Sequence, residues 1–299
     1  MVDAILRAGV VWVLWLQQFS PALDGLMVAL TLPGEVVFYL ALFPLLYWCV
    51  DRRLAARLTL LCILSLNLNA WAKEIVAQPR PYQYDPRVKP LREAAGGGLP
   101  SGHTQNTVAV WGYLAAWARR PWITALFVAL LVLVPLSRLY LGAHFPSDLV
   151  GGYLLGALLL WLAWRAEAPA ARAWGRLPLG VRLALAATLP PLILLAMPPL
   201  HERILDGALL LAGAGAGVVL AERWVPEARG GALWRRGLRL LVGLLTTLAF
   251  YLALEALARV VGWSGLAGAA LYAPLGLWGA LGAPWLFGRL GLTGGAPCS

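Results

Sequence analysis

The chain has 299 residues, of which 61% are hydrophobic and 13% are charged, and its mean hydropathy is +0.74. A soluble domain is about half apolar and about one quarter charged, so this composition excludes an ordinary soluble protein and predicts several membrane-spanning helices. The net charge of +10 does not indicate nucleic-acid binding, because most arginines lie in short segments between apolar runs, as topology signals do. The three cysteines show no paired spacing, which argues against a disulfide framework and a zinc site.

The first apolar stretch, residues 4–31, is interrupted by polar side chains such as Gln17 and Asp24. It also contains Trp12, a residue type that is enriched at membrane interfaces. We therefore predict an amphipathic helix at the membrane interface over residues 1–32, with a transmembrane span as the alternative.

Nine later runs are apolar enough to cross a hydrocarbon layer of about 30 Å. They cover residues 33–50, 54–72, 104–118, 122–140, 147–165, 179–197, 204–221, 238–258 and 266–287. The predicted fold class is all-α, a polytopic transmembrane helical bundle of nine spans, or ten if residues 4–31 also cross. Within it, glycines in the run from Gly213 to Gly217 are expected to allow close helix packing, and Asn69 is expected to bond between helices.

Arginine and lysine residues favour one orientation of this bundle. If residue 33 lies at the outer face, the inner segments contain 15 of these cations and the outer segments contain nine. Positive charge is usually concentrated on the cytoplasmic side of membrane proteins. We therefore predict a multi-pass protein of the plasma (inner) membrane in this orientation.

Three polar clusters stand at ends of the predicted spans, and the chosen orientation places all three at the outer, periplasmic or exterior face. Ionisable residues are costly in a membrane unless they face a polar site, so their clustering indicates function. The clusters are Lys73-x6-Arg80-Pro81, then Pro100-Ser101-Gly102-His103, and then Ser137-Arg138-x5-His144-x3-Asp148.

The cations of these clusters suit phosphate binding. Lys73, Arg80 and Arg138 together can neutralise a phosphate dianion and the charge that builds up during its transfer. The first two are seven residues apart, so that one helix end would point both inward. Ser101 is a predicted N-cap, and the free amides of the helix that it begins would form an anion site.

The third cluster combines His144 and Asp148, and Pro146 between them suggests a turn into the next helix. The carboxylate can accept a hydrogen bond from one ring nitrogen, which fixes the tautomer and leaves the other nitrogen as a nucleophile. A metal ion would be repelled by the surrounding cations. We therefore predict a site without metal or cofactor.

The combined pattern of the three clusters resembles the type 2 phosphatidic acid phosphatase (PAP2) superfamily. The similarity lies in the integral-membrane branch that includes lipid phosphate phosphatases, sphingosine-phosphate phosphatases and glucose-6-phosphatase. It extends over about residues 33–165 and implies a PAP2-type catalytic transmembrane core there. Residues 166–299 are then an additional transmembrane helical region of unknown role.

The resemblance also implies a role for each site residue. It makes His144 the nucleophile that forms a phosphohistidine, Asp148 the residue that orients it, and His103 the general acid. The phosphate ligands that it implies are Lys73, Arg80, Ser101, Gly102 and Arg138.

These residues predict a metal-independent phosphatase acting on an amphiphilic phosphate monoester or diphosphate at the outer face. Candidate substrates are isoprenoid diphosphates, phosphatidate-like lipids and sphingoid-base phosphates, and a sugar phosphate is the alternative. Phosphate transfer to a second lipid is an alternative reaction, and a non-catalytic lipid-phosphate binder or transporter is a further option. Expected partners are this substrate and membrane lipids but no nucleic acid, with a homodimer as a further option. Three roles are open for the spans after residue 170: lining a lipid groove, forming a dimer face or stabilising the bundle.

Overall fold

The computed structural model describes residues 2–94, 96–198, 204–226, 232–263 and 265–293. These residues form helices and turns without any β-strand, which confirms the all-α fold class. The helices are α1 (Val2–Gln17), α2 (Asp24–Thr31), α3 (Val36–Cys49), α4 (Arg52–Val76), α5 (Pro81–Tyr84), α6 (Gly102–Asn106), α7 (Gly112–Trp117), α8 (Pro121–Tyr140), α9 (Pro146–Arg176), α10 (Leu179–Leu195), α11 (Ile204–Trp224), α12 (Leu233–Val261), α13 (Gly265–Ala269), α14 (Tyr272–Leu277) and α15 (Ala283–Arg289).

Six helical stretches of the described residues are long and apolar enough to cross a membrane, and a bent pair would make a seventh. They are α4 with α5, α8, α9, α11, α12 and the stretch from α13 to α15, while the bent pair joins Asp24–Gly34 to Val36–Cys49. The nine spans expected from hydropathy are therefore not confirmed. Two predicted spans, 104–118 and 179–197, are not among the candidates. They correspond to the continuous helix from α6 to α7 and to α10, which are shorter than the ~20 residues of an upright span.

The chain divides into two compact units. The first unit comprises Met1–Tyr39 and Leu64–Ala168, and the second comprises Leu40–Ile63 and Pro169–Ser299. All eight predicted site residues belong to the first unit.

Within the first unit, α9 packs directly against the backbone of α6. A Cβ atom on Gly152 would lie 2.7 Å from the carbonyl oxygen of Ser101, and one on Gly156 would lie 2.7 Å from that of Gln105. Cβ atoms do not approach carbonyl oxygens so closely, so this contact requires glycine. The packing brings the first turn of α9 beside the start of α6.

Helix α1 packs on the connection between α8 and α9. Its buried side chains Leu6, Val10 and Val13 form an apolar cluster with Val88 and Phe145, the residue that follows His144. Its outer face remains exposed, since Trp12 retains 60% of its accessible surface. A helix with one packed face and one exposed apolar face fits both the membrane interface and a transmembrane span. The interfacial placement of residues 1–32 therefore stays a prediction.

The second unit is built on close contacts of α11. Cβ atoms added to Gly213 and Gly215 would lie 1.8 Å and 1.9 Å from the carbonyl oxygens of Ala273 and Ala186. These contacts confirm that the glycines allow close helix packing. At the end of α11, the Arg52 guanidinium donates to the carbonyl of Val225 at 2.8 Å, which satisfies a group that the helix leaves unpaired.

Candidate active site

Lys73 lies in the last turn of α4, but Arg80 does not continue that helix. Helix α4 ends at Val76, where Ala77 takes up a left-handed backbone conformation with φ 47°. Pro79 follows, and it has no N–H group with which to continue a helix. The expectation that one helix end carries both cations is therefore wrong, and the non-helical link brings Arg80 to the site.

The Arg80 side chain is 1% exposed and is held by backbone carbonyls. Its Nε donates to Gly96 at 3.0 Å and its Nη1 donates to Ala143 at 2.8 Å. The same Nη1 lies 3.4 Å from Nε2 of His144. A guanidinium in this position can bind an anion that approaches the imidazole.

Ser101 is the N-cap of α6, as predicted, and its Oγ accepts a hydrogen bond from the N–H of Thr104 at 3.4 Å. Its own N–H donates to the carbonyl of Asp148 at 2.9 Å, which ties the start of α6 to that of α9. Gly102 is the first residue of α6 and packs closely against Asn69. A Cβ atom on Gly102 would lie 2.9 Å from Oδ1 of Asn69. The N–H groups of a first helical turn have no carbonyl partner within the helix, and those that Ser101 does not cap suit an anion.

Asn69 bonds between helices, as predicted. Its Nδ2 donates to the carbonyl of Pro100 at 3.2 Å and to Oε1 of Gln105 at 2.9 Å. The last turns of α4 are therefore connected to both sides of Ser101.

His144 precedes α9, and Asp148 lies in the first turn of that helix after the predicted turn at Pro146. Nδ1 of His144 lies 3.2 Å from Oδ2 of Asp148, and the two side chains are 2% and 0% exposed. Because Nδ1–H donates to the carboxylate, the lone pair is on Nε2, which faces Arg80. The same carboxylate oxygen accepts from the N–H of Phe145 at 2.9 Å.

Arg138 lies at the end of α8 and is 1% exposed. Its Nη1 donates to the hydroxyl of Thr31 on α2 at 3.0 Å. The chain then turns at Gly142, whose φ is 73° and where a Cβ atom would lie 2.6 Å from the carbonyl of Lys89. Only glycine fits this turn, which leads from Arg138 to His144.

His144 lies between α8 and α9 and His103 lies in α6, so both are outside the candidate spans. Burial lowers the pKa of His144 well below its usual range, and the Arg138 and Arg80 guanidinium groups lower it further. His144 is therefore neutral, the form with a free lone pair. The pKa of His103 is lowered to about 4, because burial lowers it more than the hydrogen bond with Glu35 raises it.

Sequence reasoning missed three residues that contact the predicted ones. Thr31 contacts Arg138, Glu35 lies 3.2 Å from His103, and Gln78 donates to Asp148 at 2.6 Å. Only Glu35 carried a signal, since it is a carboxylate within a predicted span and such residues mark functional sites. Threonine and glutamine have no comparable signature.

All eight predicted residues lie where α4, α5, α6, α8 and α9 begin or end, within the same unit. Among the residues that the structure describes, no three His, Cys, Asp or Glu side chains come together as a metal site. The donor set of the site instead consists of cations, two imidazoles and one carboxylate.

Comparison with known proteins shows the family to which the chain belongs. A family model of the PAP2 superfamily matches residues 36–171, and a model of the transmembrane extension of PAP2 superfamily phosphatases matches residues 207–295. The undecaprenyl-diphosphatase of Sulfolobus acidocaldarius is 30% identical over 148 residues, which cover 48% of this chain and 71% of that protein. The chain belongs to the PAP2 superfamily. The match over 36–171 contains all eight predicted residues, whereas Thr31 and Glu35 precede it.

Two further PAP2 relatives are eukaryotic. Lipid phosphate phosphatase delta of Arabidopsis thaliana is 34% identical over 160 residues, or 47% of this chain and 37% of that protein. Sphingosine-1-phosphate phosphatase 2 of Mus musculus is 35% identical over 140 residues, or 44% of this chain and 39% of that protein. The chain therefore matches less than two fifths of the length of either relative. The PAP2 match and the apolar helices make this chain a multi-pass integral membrane protein.

Proposed function

We propose that this membrane protein is a phosphatase that hydrolyses a lipid phosphate monoester or diphosphate through a phosphohistidine at His144. The observation that carries the proposal is the buried His144–Asp148 pair: Nδ1 of the ring contacts the carboxylate, and Nε2 lies 3.4 Å from Nη1 of Arg80. This pairing of an oriented nucleophile with a phosphate ligand is what phosphoryl transfer to an imidazole requires.

In the first step, Lys73, Arg80 and Arg138 bind the phosphate oxygens, together with the hydroxyl of Ser101 and the amide of Gly102. Nε2 of His144 attacks the phosphorus atom, and the bond from phosphorus to the leaving oxygen breaks. His103 donates a proton to that oxygen, so that an alcohol or a phosphate monoester departs. A bound phosphate dianion raises the pKa of His103, so the acid form is favoured when substrate is present.

In the second step, water attacks the phosphorus of the phosphohistidine. His103 accepts a proton from that water, the bond to Nε2 breaks, and inorganic phosphate leaves with His144 neutral again. Asp148 holds Nδ1–H throughout and compensates the positive charge on the ring. The three cations stabilise the charge on the phosphoryl oxygens, so we propose a reaction that requires no metal.

A lipid substrate is favoured by the place of the site residues in the fold. Lys73, Arg138 and Asp148 all lie in end turns of helices long enough to span a membrane. A phosphate held there lies at the depth of lipid headgroups, and an attached chain can remain among the helices. The named relatives point the same way, towards lipid, sphingoid-base and isoprenoid phosphates.

The test is phosphate release by the purified full chain in detergent. The panel contains an isoprenoid diphosphate, a phosphatidate, a sphingoid-base phosphate and a sugar phosphate, each with chelator. We expect faster release from a lipid than from the sugar, trapping of labelled phosphate on the protein, and loss of both in His144→Ala. Undiminished release by His144→Ala would contradict the mechanism, and preference for the sugar phosphate would contradict the lipid assignment.

The remaining proposals concern the setting of this reaction. We propose that the site faces the outside of the plasma (inner) membrane, as the distribution of cations favours. We also propose that the chain is divided into an interfacial segment 1–32, a catalytic core 33–165 and an additional helical region 166–299. A homodimer through the last region is tested by the mass of the purified protein–detergent complex.

A further inference from the structure

Glu35 is a carboxylate beside the predicted general acid. It lies at the break between Leu32–Gly34 and α3, where the bent pair changes direction by 54°. Its Oε1 lies 3.2 Å from Nε2 of His103 and 3.0 Å from Nη2 of Arg92. The side chains of Glu35 and His103 are 25% and 20% exposed.

The position of this carboxylate is fixed by its neighbours. A Cβ atom on Gly34 would lie 2.8 Å from Cδ2 of His103 and 2.9 Å from Cγ1 of Val134, so the backbone is pressed against both. The indole N–H of Trp111 donates to the carbonyl of Pro33 at 3.0 Å. These contacts hold the break against the helix that carries His103, and they leave Glu35 little freedom to move away.

The charges around His103 give the contact a consequence. Lys73 and Arg138 carry positive charge near the ring and oppose its protonation. Glu35 supplies the opposing charge through a direct hydrogen bond, and Arg92 forms an ion pair with the same carboxylate oxygen. His103 therefore has a negative partner in contact, which opposes the positive charges of Lys73 and Arg138.

We propose that Glu35 is a positioning residue for the general acid: it holds Nε2–H of His103, so that Nδ1 delivers the proton to the leaving oxygen. This inference rests on the proposed function. It gives the two histidines of the site parallel arrangements, in which a carboxylate fixes one ring nitrogen and leaves the other for chemistry.

The proton balance follows from this assignment. Protonated His103 carries hydrogen on both nitrogens, with Nε2–H donating to Glu35. Nδ1 passes its proton to the leaving oxygen as the phosphorus–oxygen bond breaks, and the neutral ring keeps Nε2–H. In the second step Nδ1 takes a proton from the attacking water. Glu35 remains ionised in both steps.

The experiment compares two leaving groups in the full-length protein. Phosphatidate has an aliphatic leaving group that needs a proton, whereas 4-nitrophenyl phosphate releases a stable phenolate that does not. For Glu35→Gln we expect kcat to fall about 10- to 100-fold with phosphatidate and less than about threefold with the aryl ester. His103→Ala should show the same selective loss, and Glu35→Asp should restore part of the activity.

Two controls separate positioning from folding. Glu74→Gln removes an exposed carboxylate of α4 and should leave both rates unchanged. Each variant is also compared for its thermal midpoint and for inhibition by orthovanadate, which depends on the phosphate ligands and on His144. A variant that unfolds loses vanadate binding and both activities together.

The outcomes distinguish the two proposals. Equal loss with both esters, or no loss with either, in folded Glu35→Gln would overturn the role of Glu35 and leave the proposed function intact. A wild-type protein that hydrolyses neither these esters nor the isoprenoid and sphingoid-base phosphates of the panel, or a His144→Ala protein as active as wild type, would overturn the proposed function itself. A selective loss with phosphatidate in both Glu35→Gln and His103→Ala would support the assignment.

Discussion

Gln78 donates a hydrogen bond of 2.6 Å to Oδ1 of Asp148, while Oδ2 of the same carboxylate contacts Nδ1 of His144. The amide thereby holds one carboxylate oxygen so that the other is aimed at the proposed nucleophile. Gln78 follows the end of α4, so the hydrogen bond also connects this end to the first turn of α9.

Replacing Gln78 by alanine should lower kcat roughly tenfold, because a hydrogen bond to a charged group contributes about 1.5–3 kcal/mol. KM should change little, since the phosphate ligands remain. Steady-state kinetics on the best lipid substrate measure both constants. Glu74→Gln, in the last turn of α4 just before Gln78, serves as the control, and a rise in KM without a fall in kcat would contradict the positioning role.

Thr31→Val should weaken binding of the phosphate. The change keeps the shape of the side chain but removes the hydroxyl that accepts from Arg138, both residues being buried. A buried donor left without its partner costs about 1–3 kcal/mol, so we expect the inhibition constant of orthovanadate to rise roughly tenfold. Thr59→Val is the matched control, because its hydroxyl donates to the carbonyl of Ala55 in its own helix turn. Equal effects of both variants would argue against a specific role of Thr31.

Gly152→Ala should destabilise the first unit and reduce activity. The added methyl group would lie 2.7 Å from the carbonyl of Ser101 and would push α6 away from α9. Overpacking of this kind costs about 1–3 kcal/mol, which thermal unfolding in detergent detects as a lower midpoint. Gly175→Ala, in the same helix, meets no atom within 4 Å and should be neutral or slightly stabilising. A stable and fully active Gly152→Ala protein would show that the two helices can separate without consequence.

Chelation of divalent metals should leave the reaction rate unchanged, because the proposed charge stabilisation comes from Lys73, Arg80 and Arg138. The measurement is phosphate release before and after dialysis against chelator, followed by addition of magnesium or zinc. Activity that disappears on dialysis and returns with one of these metals would show that the three cationic side chains do not suffice to stabilise the charge on the phosphate.

The orientation in the membrane can be tested with single cysteines. In a Cys298→Ser background, Glu93→Cys should react with an impermeant maleimide in intact cells, and Arg119→Cys should react only after the cells are opened. Both positions are exposed, and the remaining Cys49 and Cys62 are buried. Reversed labelling would place the site at the inner face.

Hydropathy alone did not predict how many helices are long enough to cross the membrane. Residues 104–118 are apolar enough to suggest a span, yet the continuous helix from Gly102 to Trp117 is short and most of its residues are buried. A helix is apolar when it faces lipid and also when it faces other helices, so composition does not separate the two cases. Only its length and packing in the structure do so.

The sequence by itself determined the membrane class and the helical fold, and it predicted the eight candidate site residues, because these depend on composition and on short motifs. The N-cap at Ser101 and the turn at Pro146 were predictable for the same reason, since caps and turns are local. The tertiary structure alone decided that α4 ends before Arg80 and that Thr31, Glu35 and Gln78 enter the site. Their contacts join residues 107, 68 and 70 positions apart, and such pairs are set by how the helices pack.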